Sequence, residues 1–162
     1  MRTKPLEGIK VLDFSQVLAA PFCGMMLADM GAEVIKIERP GNGDISREYG
    51  PYADDISLYF CQYNRGKRDI AIDMRSEEGK KVIMDLVAEV DIVIENFKSG
   101  TLEKLGIGYD KMKKVNPEII YGSIAGFGTS GPLSHLPCMD IIAAARKDRK
   151  STRLNSSHTN LS

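Results

Sequence analysis

An open, doubly wound α/β sheet, mainly parallel and with helices on both faces, is the fold this sequence predicts. Three observations carry it. Short, β-favouring apolar runs alternate with helical segments along the chain. A strand–helix–strand unit closes within residues 9–38, too short a span for anything but a direct crossover between parallel neighbours. The clearest amphipathic helix, 76–90, lies between two further strand-like runs.

Residues 9–14 (IKVLDF) read as a buried strand. Pro21 fits the first turn of a helix running to about Met30, and Gly31 is its stop. Residues 33–38 (EVIKIE) alternate and end in charge, as the next strand should. The stretch 41–55, rich in Gly, Asp and Pro, reads as a long loop. A short helical piece over 57–63 precedes a third strand at 68–72. Ser76, with Glu78 and Gly79, opens the amphipathic helix, in which Val82, Ile83, Leu86 and Val87 share a face. A fourth strand follows at 91–95, short helices at 101–105 and 109–115, and a fifth strand at 119–124. A glycine loop at 126–131 then leads to a helix starting near Asp140.

The chain has 162 residues, 43% of them hydrophobic and 27% charged, with 22 basic residues balanced by 22 acidic ones. That balance excludes a basic nucleic-acid binder and an acidic disordered segment. No apolar run approaches membrane-spanning length, and MRTKPLEGIK lacks the apolar core of a signal peptide. Cys23, Cys61 and Cys138 are an odd, widely spaced set without a CxxC pair. The expectation is no disulfide framework, no metal site and a reducing, cytoplasmic setting. From Arg146 onward the composition turns basic, and the stretch 148–158, DRKSTRLNSSH, resembles the translation of a sequencing-library adapter. Residues 148–162 are therefore expected to be an adapter-derived, disordered tail outside the fold.

In open α/β sheets, ligands lie outside the carboxyl ends of the strands. The segments there are 15–20, 38–43, 73–75, 96–100 and 125–131, which carry Arg39, Arg75, Asn96 and Lys98. Gathered on one rim, these groups suit an anionic, nucleotide-like ligand, although any one of them alone reads more readily as a solvated charge. Glu38 ends the second strand as a ribose-binding acid would, but SQVLAAP supplies no G-x-G-x-x-G, and neither a P-loop nor HExxH occurs. His135 reads as a loop residue, and Cys23, among Phe22, Met25 and Met26, as core packing. Pattern alone leads to an α/β domain that binds something anionic.

Four longer segments carry more. PLEGIKVLDFSQVLAAPFCGMMLADMGAEVIKIERPGNGD (5–44), NRGKRDIAIDM (64–74), VDIVIENFKSG (90–100) and YGSIAGFGTSGP (121–132) follow one another along the chain. In order and spacing they resemble the class III CoA-transferase family, which includes formyl-CoA transferase, carnitine CoA-transferase and α-methylacyl-CoA racemase. The resemblance implies a Rossmann-like fold, with residues 1–147 as the N-terminal part of a large domain, and an interlocked homodimer as the full-length state. Coenzyme A, as acyl-CoA substrate, would bind along Gln16, Val17, Leu18 and Ala19, along Arg39, and along Ile72, Asp73, Met74 and Arg75. The turn Asn96, Phe97 and Lys98 would join them, with Lys104 where the family often has arginine. Cys138, Met139 and Asp140 match positions lining the acyl end.

The activity implied is transfer of CoA from an acyl-CoA donor to a carboxylic acid through an aspartyl covalent intermediate. The nucleophilic aspartate of the family would fall beyond Ser162, so no catalytic nucleophile is expected here. Asp140 is left with a supporting role or that of a helix N-cap. The racemase branch needs a histidine where this sequence has Met139, which favours transfer over racemisation. A non-catalytic module binding CoA or a nucleotide is the remaining alternative.

Overall fold

The computed structural model describes residues 4–134 and Leu136, and the chain divides into two units, one ending at Ile124 and the other beginning at Ala125. In the first unit the elements run β1 (Lys10–Asp13), α1 (Ala19–Asp29) and β2 (Glu33–Glu38), then a 3₁₀ turn (Ile45–Glu48). The hairpin β3 (Tyr52–Ala53) and β4 (Ile56–Ser57) leads into α2 (Leu58–Asn64) and β5 (Lys67–Ala71). The chain continues through α3 (Glu77–Val87), β6 (Ile92–Glu95), α4 (Thr101–Lys104), α5 (Tyr109–Val115) and β7 (Ile120–Ser123).

Five of these strands form one sheet in the order β5-β2-β1-β6-β7, and all four pairings are parallel. The chain starts in the middle, builds outward through β2 to β5, then returns to the other side of β1 for β6 and β7. The order therefore reverses between β1 and β6, which opens a crevice beyond their carboxyl ends. Both faces are covered. Leu12, Ile37 and Val93 pack with Ile83 and Val87 of α3 and with Met112 of α5. Val11, Val34 and Ile94, which point the other way, pack with Leu27 and Ala28 of α1.

Three expectations need correction. The stretch 41–55 is not one loop. Asp44 accepts from both the amide and the hydroxyl of Ser46 and so caps the 3₁₀ turn. Asp54 and Asp55, at φ 47° and 61°, then form the two-residue turn of the β3–β4 hairpin. Aspartate tolerates that left-handed conformation, so a composition that reads as irregular is turn chemistry. The buried stripe of α3 is Gly79, Ile83 and Val87, spaced four apart, whereas Val82 is 43% exposed. One position before Ile83, Val82 is rotated about 100° away from that stripe. Around Cys23, only Met25 is fully buried; Cys23 is half-buried, and Phe22 and Met26 are exposed. The helix expected near Asp140 lies outside the described residues.

Candidate functional site at the strand-order switch

The corner between β1 and α1 is held by charges buried inside otherwise apolar strands. Asp13, the last residue of β1, accepts the amide of Ser15 on Oδ1 at 2.8 Å and the Lys67 ammonium on Oδ2 at 2.8 Å. Lys67 reaches in from β5 and also donates to the carbonyl of Pro21, in the first turn of α1, and to Asn64 Oδ1. Burial pulls the Lys67 pKa down, and the Asp13 carboxylate only partly opposes this. The same burial, with Asp13 adding to it, pushes the Cys23 thiol up against the opposing pull of Lys67, so Cys23 stays a protonated thiol at neutral pH.

One residue on, the backbone of Gln16 pairs with a side chain from across the crevice. Its amide donates to Asn96 Oδ1 and its carbonyl accepts from Asn96 Nδ2, both at 2.8 Å. The two loops that flank the switch are thus tied directly together. Val17 has φ 68°, in the left-handed region, and its amide faces both oxygens of Asp44. Asp44 pairs with Lys36 of β2 at 2.9 Å, and Lys36 also donates to the carbonyl of Ser15 at 2.6 Å. Burial alone would raise the Asp44 pKa, but the Lys36 ammonium and the Ser46 donors outweigh it and hold the carboxyl below its ordinary range.

The end of β2 is equally committed. Glu38 accepts a two-pronged contact from Arg47, at 2.8 and 2.9 Å, and the amide of Asp44 at 2.9 Å. Arg47 in turn lies 3.7 Å over the ring of Phe60. Glu38 therefore spends both oxygens inside the fold and is not available as the ribose-binding acid its position suggests. After β5, Asp73 accepts the Arg75 amide, and Ser76 caps α3 through the Gly79 amide. After β6, Glu95 accepts the Phe97 amide at 2.7 Å.

Beyond these strand ends lies an open cleft of about 630 Å³. Gln16 borders it from the first loop, Arg39 and Pro40 from the end of β2, and Asp73, Met74 and Arg75 from the end of β5. Phe97 closes another side, together with Thr101, Lys104 and Leu105 from α4 and the residue after it. Arg39, Arg75 and Lys104 bring three cations to a wall with one carboxylate, and none of the three forms an ion pair among the described residues. Pro40, Met74, Phe97 and Leu105 add apolar surface. Cationic groups beside flat apolar faces suit a ligand that carries phosphates and an aromatic base.

Of the residues expected at the site, Gln16, Arg39, Asp73, Met74, Arg75, Phe97 and Lys104 come together around this cleft. Asn96 serves it from behind by fixing Gln16, and Val17 is half-buried next to it. Leu18 and Ala19 are exposed at the start of α1, Ile72 belongs to the core, and Lys98 is exposed and does not line the cleft. Cys138, Met139 and Asp140 lie outside the described residues. Pro40 lies within the strand-end stretch 38–43, while Thr101 and Leu105 escaped sequence reasoning, although, four apart, they share a helical face beside Lys104. The buried charges Asp13, Lys36, Asp44 and Lys67 escaped it too. Their signal is a charge inside a strand-like run, the D of VLDF and the K of EVIKIE. Among the described residues, no group of three His, Cys, Asp or Glu side chains could hold a metal ion, and no helix is long and apolar enough to cross a membrane.

Residues 6–148 match the family described as CoA-transferase family III. The chain belongs to that family. Among CoA-transferase family III relatives, the acetyl-CoA:oxalate CoA-transferase of Acetobacter aceti is 44% identical over 141 residues, covering 87% of this chain and 36% of that protein. The succinyl-CoA:glutarate CoA-transferase of Mus musculus is 46% identical over 143 residues, covering 88% of this chain and 33% of that protein. A solved CAIB/BAIF family protein from Brucella suis superposes with a TM-score of 0.84 at 43% identity, over 90% of this chain and 39% of that one. The chain thus spans between a third and two-fifths of the length of these relatives.

Proposed function

We propose that this chain is the N-terminal part of an enzyme that moves CoA between an acyl-CoA donor and a carboxylic acid, and that the cleft at the strand-order switch receives the nucleotide end of the coenzyme. The observation that carries this reading is the convergence of Arg39, Arg75 and Lys104, without an ion pair among the described residues, beside Met74 and Phe97. The guanidinium groups match phosphate oxygens in a planar fork, Lys104 adds a point charge, and the apolar faces take the base. Gln16, held rigid by Asn96, offers its side chain to the same ligand. The relatives' names supply the reaction class, a thioester donor and a carboxylate acceptor.

The chemistry of such a transfer is nucleophilic. A carboxylate attacks the thioester carbonyl, the carbon–sulfur bond breaks, and CoA leaves as its thiolate, so that the acyl group is held as a mixed anhydride. We place that aspartate outside this chain. Residues 4–124 then supply binding and orientation only, and the 162-residue polypeptide transfers no acyl group. The full-length protein works as a homodimer in the cytoplasm on this reading. The family match ends at residue 148, where the adapter-like stretch begins, which supports reading residues 148–162 as foreign to the enzyme.

Titration of CoA into the full-length protein tests the binding site. Arg39→Ala should weaken binding by about 1.5–3 kcal/mol, the worth of a hydrogen bond to a charged group. Unchanged affinity would remove the cleft from the coenzyme's path. Robust acyl transfer by the 162-residue chain would refute the assignment of the nucleophile.

A further inference from the structure

We propose that Asp44 is a positioning residue for the cleft: its buried carboxylate holds Val17 in the left-handed conformation and thereby sets Gln16 against the ligand. The inference rests on the reading of the cleft as a coenzyme site, but the device itself is visible without a ligand. Val17 is β-branched, and at φ 68° its Cβ crowds the following carbonyl, a conformation valine does not adopt unless the surroundings impose it. The imposing contact is with Asp44. The Val17 amide lies 3.2 and 3.3 Å from the two oxygens of Asp44, a fork that only a carboxylate can offer.

Asp44 is itself immobilised. Its side chain is fully buried and receives Lys36 Nζ at 2.9 Å, Ser46 N at 2.9 Å and Ser46 Oγ at 2.8 Å. Its own amide donates to Glu38 Oε2, one residue before Arg39. A single residue thus joins two lips of the cleft, through its side chain the loop that carries Gln16 and through its backbone amide the strand end that carries Arg39. Asp44 does not border the cleft, and its side chain acts on a ligand through residues 15–17. Strain of this kind persists where the surrounding structure over-determines it, and here it does: Asp13 and Lys36 fix Ser15, and Asn96 fixes Gln16.

A double-mutant cycle in the full-length protein tests this. Asp44→Asn keeps the shape and loses the charged fork, and Val17→Gly lets the backbone hold a positive φ at no steric cost. Asp44→Asn in the native background should weaken CoA binding about tenfold or more, and in the Val17→Gly background about threefold or less. Equal losses in the two backgrounds would show that Asp44 acts on general stability and would overturn the proposal, as would native affinity in Asp44→Asn. Amide exchange of residues 16–18 reads the clamp without any ligand and should accelerate in Asp44→Asn. If the native protein fails to bind CoA, the coenzyme reading falls while exchange still decides the clamp. Should Asp44→Asn not fold, Ser46→Ala removes one donor from the same carboxylate and should raise exchange at 16–18 and weaken CoA several-fold; no change in either would sink the idea.

Discussion

The corner between β5 and α3 and the corner between β1 and α1 both deliver residues to the cleft, yet their backbone groups are satisfied in different ways. At the first, every partner from Asp73 onward is local. Asp73 accepts from Arg75 two residues on, and its carbonyl accepts the amide and hydroxyl of Ser76, whose hydroxyl also accepts from Gly79. At the second, Ser15, Gln16 and Val17 are met by Lys36, Asp44 and Asn96, which are 21, 80 and 27 residues away for the Lys36–Ser15, Asn96–Gln16 and Asp44–Val17 bonds respectively. Leu18, at the N-cap of α1, offers no side-chain cap, whereas Ser76 caps α3 and is followed by Glu77 and Glu78. A locally closed corner folds its own helix start. A corner closed from a distance takes its shape only when the whole sheet has assembled, and that shape can then be set by what the cleft must bind.

Breaking the distant corner should cost most. Lys67→Met removes the cation that joins the end of β1 to the first turn of α1 and leaves the Asp13 carboxylate buried without a countercharge, for an expected loss of about 3–5 kcal/mol in urea unfolding. A loss well under that would mean Asp13 finds water or another donor, and the contrast between the corners would weaken. Gly79→Ala attacks the local corner by bulk, since a Cβ there would sit 2.0 Å from the carbonyl oxygen of Asp73. About 1–3 kcal/mol should be lost, read from the same unfolding curves, because backbone rather than a flexible side chain must give way. The mildest is Ser76→Ala, which deletes one cap at about 1 kcal/mol and should leave the β1–α1 corner untouched, as amide exchange at residues 15–17 would show.

Much of the fold is legible in the sequence because its signals are short-range. EVIKIE becomes β2 at the predicted residues, and the second short helix appears as α5 at 109–115. Ser76 opens α3 as its side chain dictates, although the helix stops at Val87 rather than running to residue 90. The hairpin at 52–57 is hidden by its own turn residues, because Asp and Gly mark loops and tight turns alike. For the site, the crevice follows from strand order, and Arg39, Arg75, Phe97 and Lys104 stand beside it because they follow strands or sit on the short helix after one. Asn96 presented itself as a ligand group, but its amide is spent on Gln16, a bond between residues 80 apart that no local pattern announces.

By itself, the sequence determined where strands and helices begin, since alternation, caps and stops act within a turn or two of the chain. It also determined that the strand ends would carry cations. Tertiary structure alone decided which polar groups are free to meet a ligand. Glu38, Asp44, Lys36 and Asp13 look as available on paper as Arg39 and Arg75, but removal from water forces each of them to find a partner inside the fold. Arg39 and Arg75 remain at the edge, where water can solvate them, and so keep their charge for whatever enters the cleft.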